Sequence, residues 1–128
     1  MNFGDSMVQK RILLVEDDQD IRETLVELLQ EEGYEVFFAE NGQEGLDKLS
    51  TLPALPNLIL LDLMMPIKDG FQFCLEKDAN PKFTHIPVVV MSADGLIKEN
   101  QQRVNACAYL KKPLDIYHVI DIVARYCL

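Results

Sequence analysis

The sequence predicts an α/β fold in which helices cover both faces of a parallel sheet, a doubly wound arrangement. Three observations carry that prediction. Short apolar runs alternate with stretches of helical spacing along the chain. Two of those runs, Asn57 to Leu61 and Pro87 to Met91, are apolar on successive residues, as a strand must be when both of its faces are buried. The length of 128 residues is enough for one hydrophobic core and leaves little for a second.

Each element follows in order. Arg11 to Val15 reads as the first strand and stops abruptly at Glu16-Asp17-Asp18. Ile21, Leu25, Leu28 and Leu29 then recur at helical spacing, with Asp18 placed to cap the helix they mark. Glu35 to Ala39 is the second strand, and Asn41 to Leu52 the second helix. Pro53 and Pro56 bracket a loop before the third strand, Asn57 to Leu61, which is followed by Asp62. A third helix is expected over Asp69 to Asp78. The fourth strand, Pro87 to Met91, is followed by Ser92. A fourth helix is expected over Gly95 to Asn105 on a sparse stripe of Leu96, Ile97 and Val104. The last strand, Ala108 to Lys111, precedes Lys112-Pro113, and Ile116, Val119, Ile120 and Val123 mark the last helix. Residues Met1 to Ser6 are small, polar and aperiodic and Met7 offers a second start, so residues 1–9 are expected to be a disordered leader and 10–128 the domain.

Composition narrows the function. Twelve Lys and Arg against 21 Asp and Glu leave a net charge of −9, a field that repels nucleic acid and anionic membrane alike. The apolar run at Ile12 ends too soon for a signal peptide, and no segment is long enough to span a bilayer. Cys74, Cys107 and Cys127 are odd in number and form no CxxC pair, which suits reduced thiols and a cytoplasmic location. His85 and His118 have no partners at metal-ligand spacing and are read as surface or packing residues. The methionines form no stripe and are read as packing.

In a doubly wound sheet, ligands sit beyond the carboxyl ends of the strands. Those ends carry Glu16-Asp17-Asp18, Asp62, Ser92 and Lys112. Taken singly, each has an ordinary structural reading: acids after strands are often helix caps, and lysines are often surface charges. Together they describe a site. If the first and third strands are neighbours, two carboxylates ~4 Å apart at an effective dielectric of ~20 repel by roughly 4 kcal/mol. Either one carboxyl takes a proton, or a hard cation such as Mg²⁺ settles among the oxygens. In the second case a carboxylate beside the cation can attack an activated phosphoryl group.

Val15-Glu16-Asp17-Asp18, Leu61-Asp62-Leu63-Met64-Met65-Pro66 with Asp69-Gly70, Met91-Ser92-Ala93 and Tyr109-Leu110-Lys111-Lys112-Pro113 resemble the response-regulator receiver family. The resemblance covers Lys10 to Leu128. It implies a flavodoxin-like (βα)5 sandwich with strand order 2-1-3-4-5, an order that the general rule for doubly wound folds itself illustrates with a receiver. It implies that Asp62 is the phosphoacceptor, that Asp17 holds Mg²⁺ directly and Glu16 through a water, and that Met64 offers its backbone carbonyl. Asp18 takes no ligand role. Ser92 stands at the family's hydroxyl position, Tyr109 at its switch aromatic, and Lys112 at its lysine, whose bond to Pro113 resembles one that is cis in relatives. The implied function is that of a signalling domain rather than an enzyme, one that promotes its own phosphorylation and dephosphorylation. A histidine kinase or histidine phosphotransfer protein is the implied donor and a downstream protein the target, with a phosphorylation-dependent dimer left open.

The stretch from Ser92 to Tyr109 is shorter than in typical relatives, and Asn105-Ala106-Cys107-Ala108 stands where many have a glycine and small residues. The rival readings are a haloacid-dehalogenase-like phosphohydrolase and an interaction module that is never phosphorylated. The first wants a second Asp where this chain has Met64. A flavin carrier would want a Ser/Thr/Gly-rich loop where three acids stand, and neither GxGxxG nor GxxxxGK[ST] is present.

Overall fold

The computed structural model describes residues 9–93 and 104–128. The leader 1–8, Asp94 and nearly all of the helix expected at Gly95 to Asn105 lie outside the described residues. Five strands, β1 (Arg11–Val15), β2 (Glu35–Ala39), β3 (Leu58–Asp62), β4 (Val88–Ala93) and β5 (Ala108–Lys112), form one parallel sheet in the order β2-β1-β3-β4-β5. Four helices are described: α1 (Gln19–Glu31), α2 (Gly42–Thr51), α3 (Gly70–Ala79) and α4 (Ile116–Tyr126).

Successive apolar residues in the central strands serve two cores. Leu13, Val15, Ile59, Leu61, Val88 and Val90 face one way and pack with Leu49 of α2 and Phe73 of α3. Ile12, Leu14, Leu58, Leu60, Val89 and Met91 face the other way against Leu25 and Leu29 of α1 and Val119 and Val123 of α4. Period-two alternation thus delivers one strand to both cores. The edge strands β2 and β5 are only partly buried, and their sequences are correspondingly more polar.

Each described helix starts on a side-chain cap. Asp18, Asn41, Asp69 and Asp115 accept backbone N–H groups from Ile21, Glu44, Gln72 and Tyr117, respectively. Asn41 and Asp69, read from sequence as the first helical residues, are therefore caps that stand just outside. The strands also end differently from their apolar runs. β3 starts and ends one residue later than expected, β4 starts at Val88 and runs on through Ser92 to Ala93, and β5 extends to Lys112. The reason is that backbone pairing continues after side-chain polarity changes: Asp62 is in register with Met91, Ser92 with Lys111, and Ala93 with Lys112. Of the described methionines, Met65 and Met91 pack as expected, whereas Met64 is 60% exposed beside Asp62. His85 and His118 are exposed. No helix among the described residues is long and apolar enough to cross a membrane.

Candidate functional site

The parallel register brings the polar strand ends to one edge. Val15 pairs with Leu61, so Glu16 and Asp17 emerge beside Asp62, the last residue of β3. The Asp62 backbone is held close to α3: Gly70 N–H donates to the Leu63 carbonyl at 2.9 Å. A Cβ on Gly70 would lie 2.6 Å from the Asp62 carbonyl oxygen, closer than real side chains come. Glycine is what lets the helix seat so near the acid.

Glu16, Asp17 and Asp62 each offer a carboxylate oxygen within 4.8 Å of the other two. Glu16 is fully buried and Asp62 4% exposed, while Asp17 faces solvent. Lys112 reaches in from β5, its Nζ 2.7 Å from Glu16 Oε1 and 3.5 Å from Asp62 Oδ2. The second Glu16 oxygen accepts the Asp18 N–H at 3.2 Å, and Asp62 Oδ1 accepts the Met64 N–H at 3.2 Å. Burial pushes the Asp62 carboxyl up to about 8, and the hydrogen bond and charge of Glu16 push the same way against Lys112 and the Met64 N–H. Burial pulls the Lys112 ammonium down, but the hydrogen bond to Glu16 and the charge of Asp62 outweigh it and leave the group raised. Lys112 therefore only partly offsets the crowding of the acids.

That arrangement fits a divalent cation. The donors are hard oxygens, one of them open to solvent, and the excess negative charge is what a cation would relieve. Ser92 adds a second sign. It is 1% exposed, and among the described residues its Oγ makes no hydrogen bond.

Every candidate residue from the sequence lies near this edge or on the strands that feed it. Tyr109 is half-buried in β5, in register with Val90, and its hydroxyl donates to the Val104 carbonyl at 3.1 Å. By alternation, Ser92 and Tyr109 share a face of the sheet. The Lys112–Pro113 peptide is cis, as the resemblance implied. Asp18 caps α1 and turns its side chain to Ile21 N–H. Arg22 was missed: it is 8% exposed and donates to the carbonyl oxygens of Glu16 and Asp17. The signal was its spacing of three and seven residues to Leu25 and Leu29, which sets a charge on the buried stripe.

Residues 12–124 match the family model described as the response regulator receiver domain. A probable transcriptional regulatory protein of a Picosynechococcus species is 40% identical over 124 residues, covering 90% of this chain and 47% of that protein. The chain thus spans about half the length of that relative. Sporulation initiation phosphotransferase F of Bacillus subtilis is 33% identical over 94% of this chain and 95% of its own length. Among solved structures, the chemotaxis response regulator CheY4 of Vibrio cholerae superimposes with a TM-score of 0.85 at 27% identity, covering 94% of this chain and all of that one.

Proposed function

The chain belongs to the response-regulator receiver family, and on that premise we propose that Asp62 is the residue it phosphorylates, with Glu16, Asp17 and the Met64 carbonyl as the Mg²⁺-holding groups. The single observation behind this reading is the gathering of three carboxylates and one lysine at the end of β3. The protein is a receiver domain of two-component signalling, and its family's donors are histidine kinases and histidine phosphotransfer proteins.

An ionised Asp62 oxygen attacks the phosphorus of the donor in line with the bond that breaks. The P–O or P–N bond to the donor gives its electron pair to the leaving group, and an acyl phosphate forms on Asp62. Bound Mg²⁺ would shield the incoming negative charge and help orient the phosphoryl oxygens. Lys112 supplies a point charge to those oxygens, and Ser92 Oγ donates a hydrogen bond to one of them. Hydrolysis by water returns the carboxylate, so the domain takes part in both its phosphorylation and its dephosphorylation.

The proposed donor docks along α1. An apolar groove of about 280 Å³ between Ile21, Thr24, Leu25, Pro113, Leu114 and Ile116 opens beside Lys112 and supports that choice. Output is proposed to run from Ser92 to Tyr109 and on to the surface of β5 and α4, where Tyr117 is exposed and a downstream protein or a second phosphorylated copy would bind. Residues 10–128 are taken as the receiver unit. A cytoplasmic setting agrees with three free thiols.

The test is incubation with acetyl phosphate, with and without Mg²⁺, followed by intact mass. One phosphoryl group is expected on the wild type with Mg²⁺, and none without Mg²⁺ or on Asp62→Asn. Labelling of Asp62→Asn at the wild-type level would move the acceptor elsewhere.

A further inference from the structure

Arg22 is a charged residue of α1 that the chemistry above leaves unused, yet it is buried to 8% exposure. Its Nη1 donates to the Glu16 carbonyl at 3.0 Å and to the Asp17 carbonyl at 3.4 Å. Its Nη2 lies 3.4 Å from Glu40 Oε1, and the guanidinium carbon sits 5.6 Å from the centre of the Phe38 ring. Phe38 belongs to β2, and Glu40 follows that strand directly. One side chain therefore ties the acidic turn after β1 both to the helix that follows it and to the neighbouring strand.

An arginine suits this task because its rigid fork can hold several acceptors at once while its face lies on an aromatic ring. The carbonyls it holds belong to the two residues whose carboxylates converge on Asp62. Without such a brace, a turn bearing adjacent acids would relax so as to separate them. Resting on the reading of Glu16 and Asp17 as cation-holding groups, we infer that Arg22 is a positioning residue for the divalent cation, bracing the acidic turn so that its carboxylates converge before the ion arrives.

Arg22→Lys keeps the charge and loses the fork, so an effect on binding comes from positioning and not from the long-range field. Mg²⁺ is titrated calorimetrically into the full chain, and metal-free thermal unfolding is recorded beside it. The dissociation constant is expected to rise about tenfold, as when a group orienting a metal ligand is lost. Acetyl phosphate labelling of Arg22→Lys should recover as Mg²⁺ is raised. A brace that matters only for folding would lower the melting temperature and leave the constant in place, and that result would overturn the inference.

Should Arg22→Lys unfold too readily to titrate, Phe38→Leu removes the ring and leaves the fork. Its constant should rise about two- to fivefold, and an unchanged value there counts against the inference in the same way. A wild type that takes up no Mg²⁺ would sink the reading of the acids as a cation site, and this role with it. A wild type that binds while Arg22→Lys binds equally well removes only the role of Arg22.

Discussion

Asp62 is set to hold a proton at pH values where an ordinary aspartate has lost it, because burial and Glu16 raise its pKa from 3.8 to about 8. Between those values the folded chain binds a proton that the unfolded chain has released, so stability falls with rising pH. The contribution is fully present below 3.8 and is lost as pH passes through 8. Urea denaturation in a chelator should therefore show the metal-free wild type weakening from pH 5 to pH 9, each pH chosen to lie on one side of the raised value. Asp62→Asn should flatten that slope and stabilise the metal-free fold at the higher pH by about 1–3 kcal/mol. A steeper slope in the variant would contradict this account.

The neighbouring acids separate by a different test. Asp18→Ala removes the cap on Ile21 N–H and should cost about 1 kcal/mol in denaturant while leaving Mg²⁺ affinity unchanged. Asp17→Asn should weaken Mg²⁺ binding about tenfold or more. The reverse result would shift the assignment by one residue. The gathering of Glu16, Asp17, Asp62 and Lys112 at one edge was legible in the sequence because unusual side chains stood at strand ends, where this class of fold does its chemistry. Arg22 was overlooked, because its spacing to Leu25 and Leu29 marks a charge on the buried stripe but not the backbone carbonyls that it holds.

At the scale of elements, the site depends on how near α3 comes to β3. Gly70→Ala puts a methyl group against the Asp62 carbonyl and the Leu63 Cα, and neither can retreat without moving the strand end. The expected cost is about 2–3 kcal/mol, with a loss of acetyl phosphate labelling seen by intact mass. Gly33→Ala is the control. It stands at φ 95 with open space around it, so it should cost about 1 kcal/mol in backbone strain and keep labelling. Equal labelling of the two variants would show that the close approach of α3 is dispensable. The strands and helices themselves were legible from periodicity, because successive apolar residues and helical stripes reflect burial directly. Their ends were displaced, because ladder pairing and caps are backbone events: Ser92 and Lys112 still pair inside β4 and β5, and Asn41 and Asp69 stand just outside the helices they start.

At the scale of the whole molecule, the sheet links the end of β3 to a surface two strands away. Asp62 on β3 is in register with Met91 on β4, and Val90 of β4 with Tyr109 on β5. If that path carries the signal, phosphorylation should change hydrogen exchange across β5 in the wild type, and Tyr109→Ala should become phosphorylated without showing the change. An unaltered exchange response in the variant would remove Tyr109 from the path. The alternation of elements and the burial of both sheet faces could be read from the chain. The order β2-β1-β3-β4-β5 came only from resemblance, since alternation permits several orders and the pairing of distant strands is settled by packing.

The buried hydroxyl of Ser92 bears on what the strand end can accept. Among the described residues its Oγ has no partner, and it stands one residue beyond Met91, the ladder partner of Asp62. A phosphoryl group on the neighbouring strand end would bring oxygen lone pairs within its reach, and the hydroxyl would then donate to them. Alanine there would remove that donor and weaken whatever hold the fourth strand has on such a group.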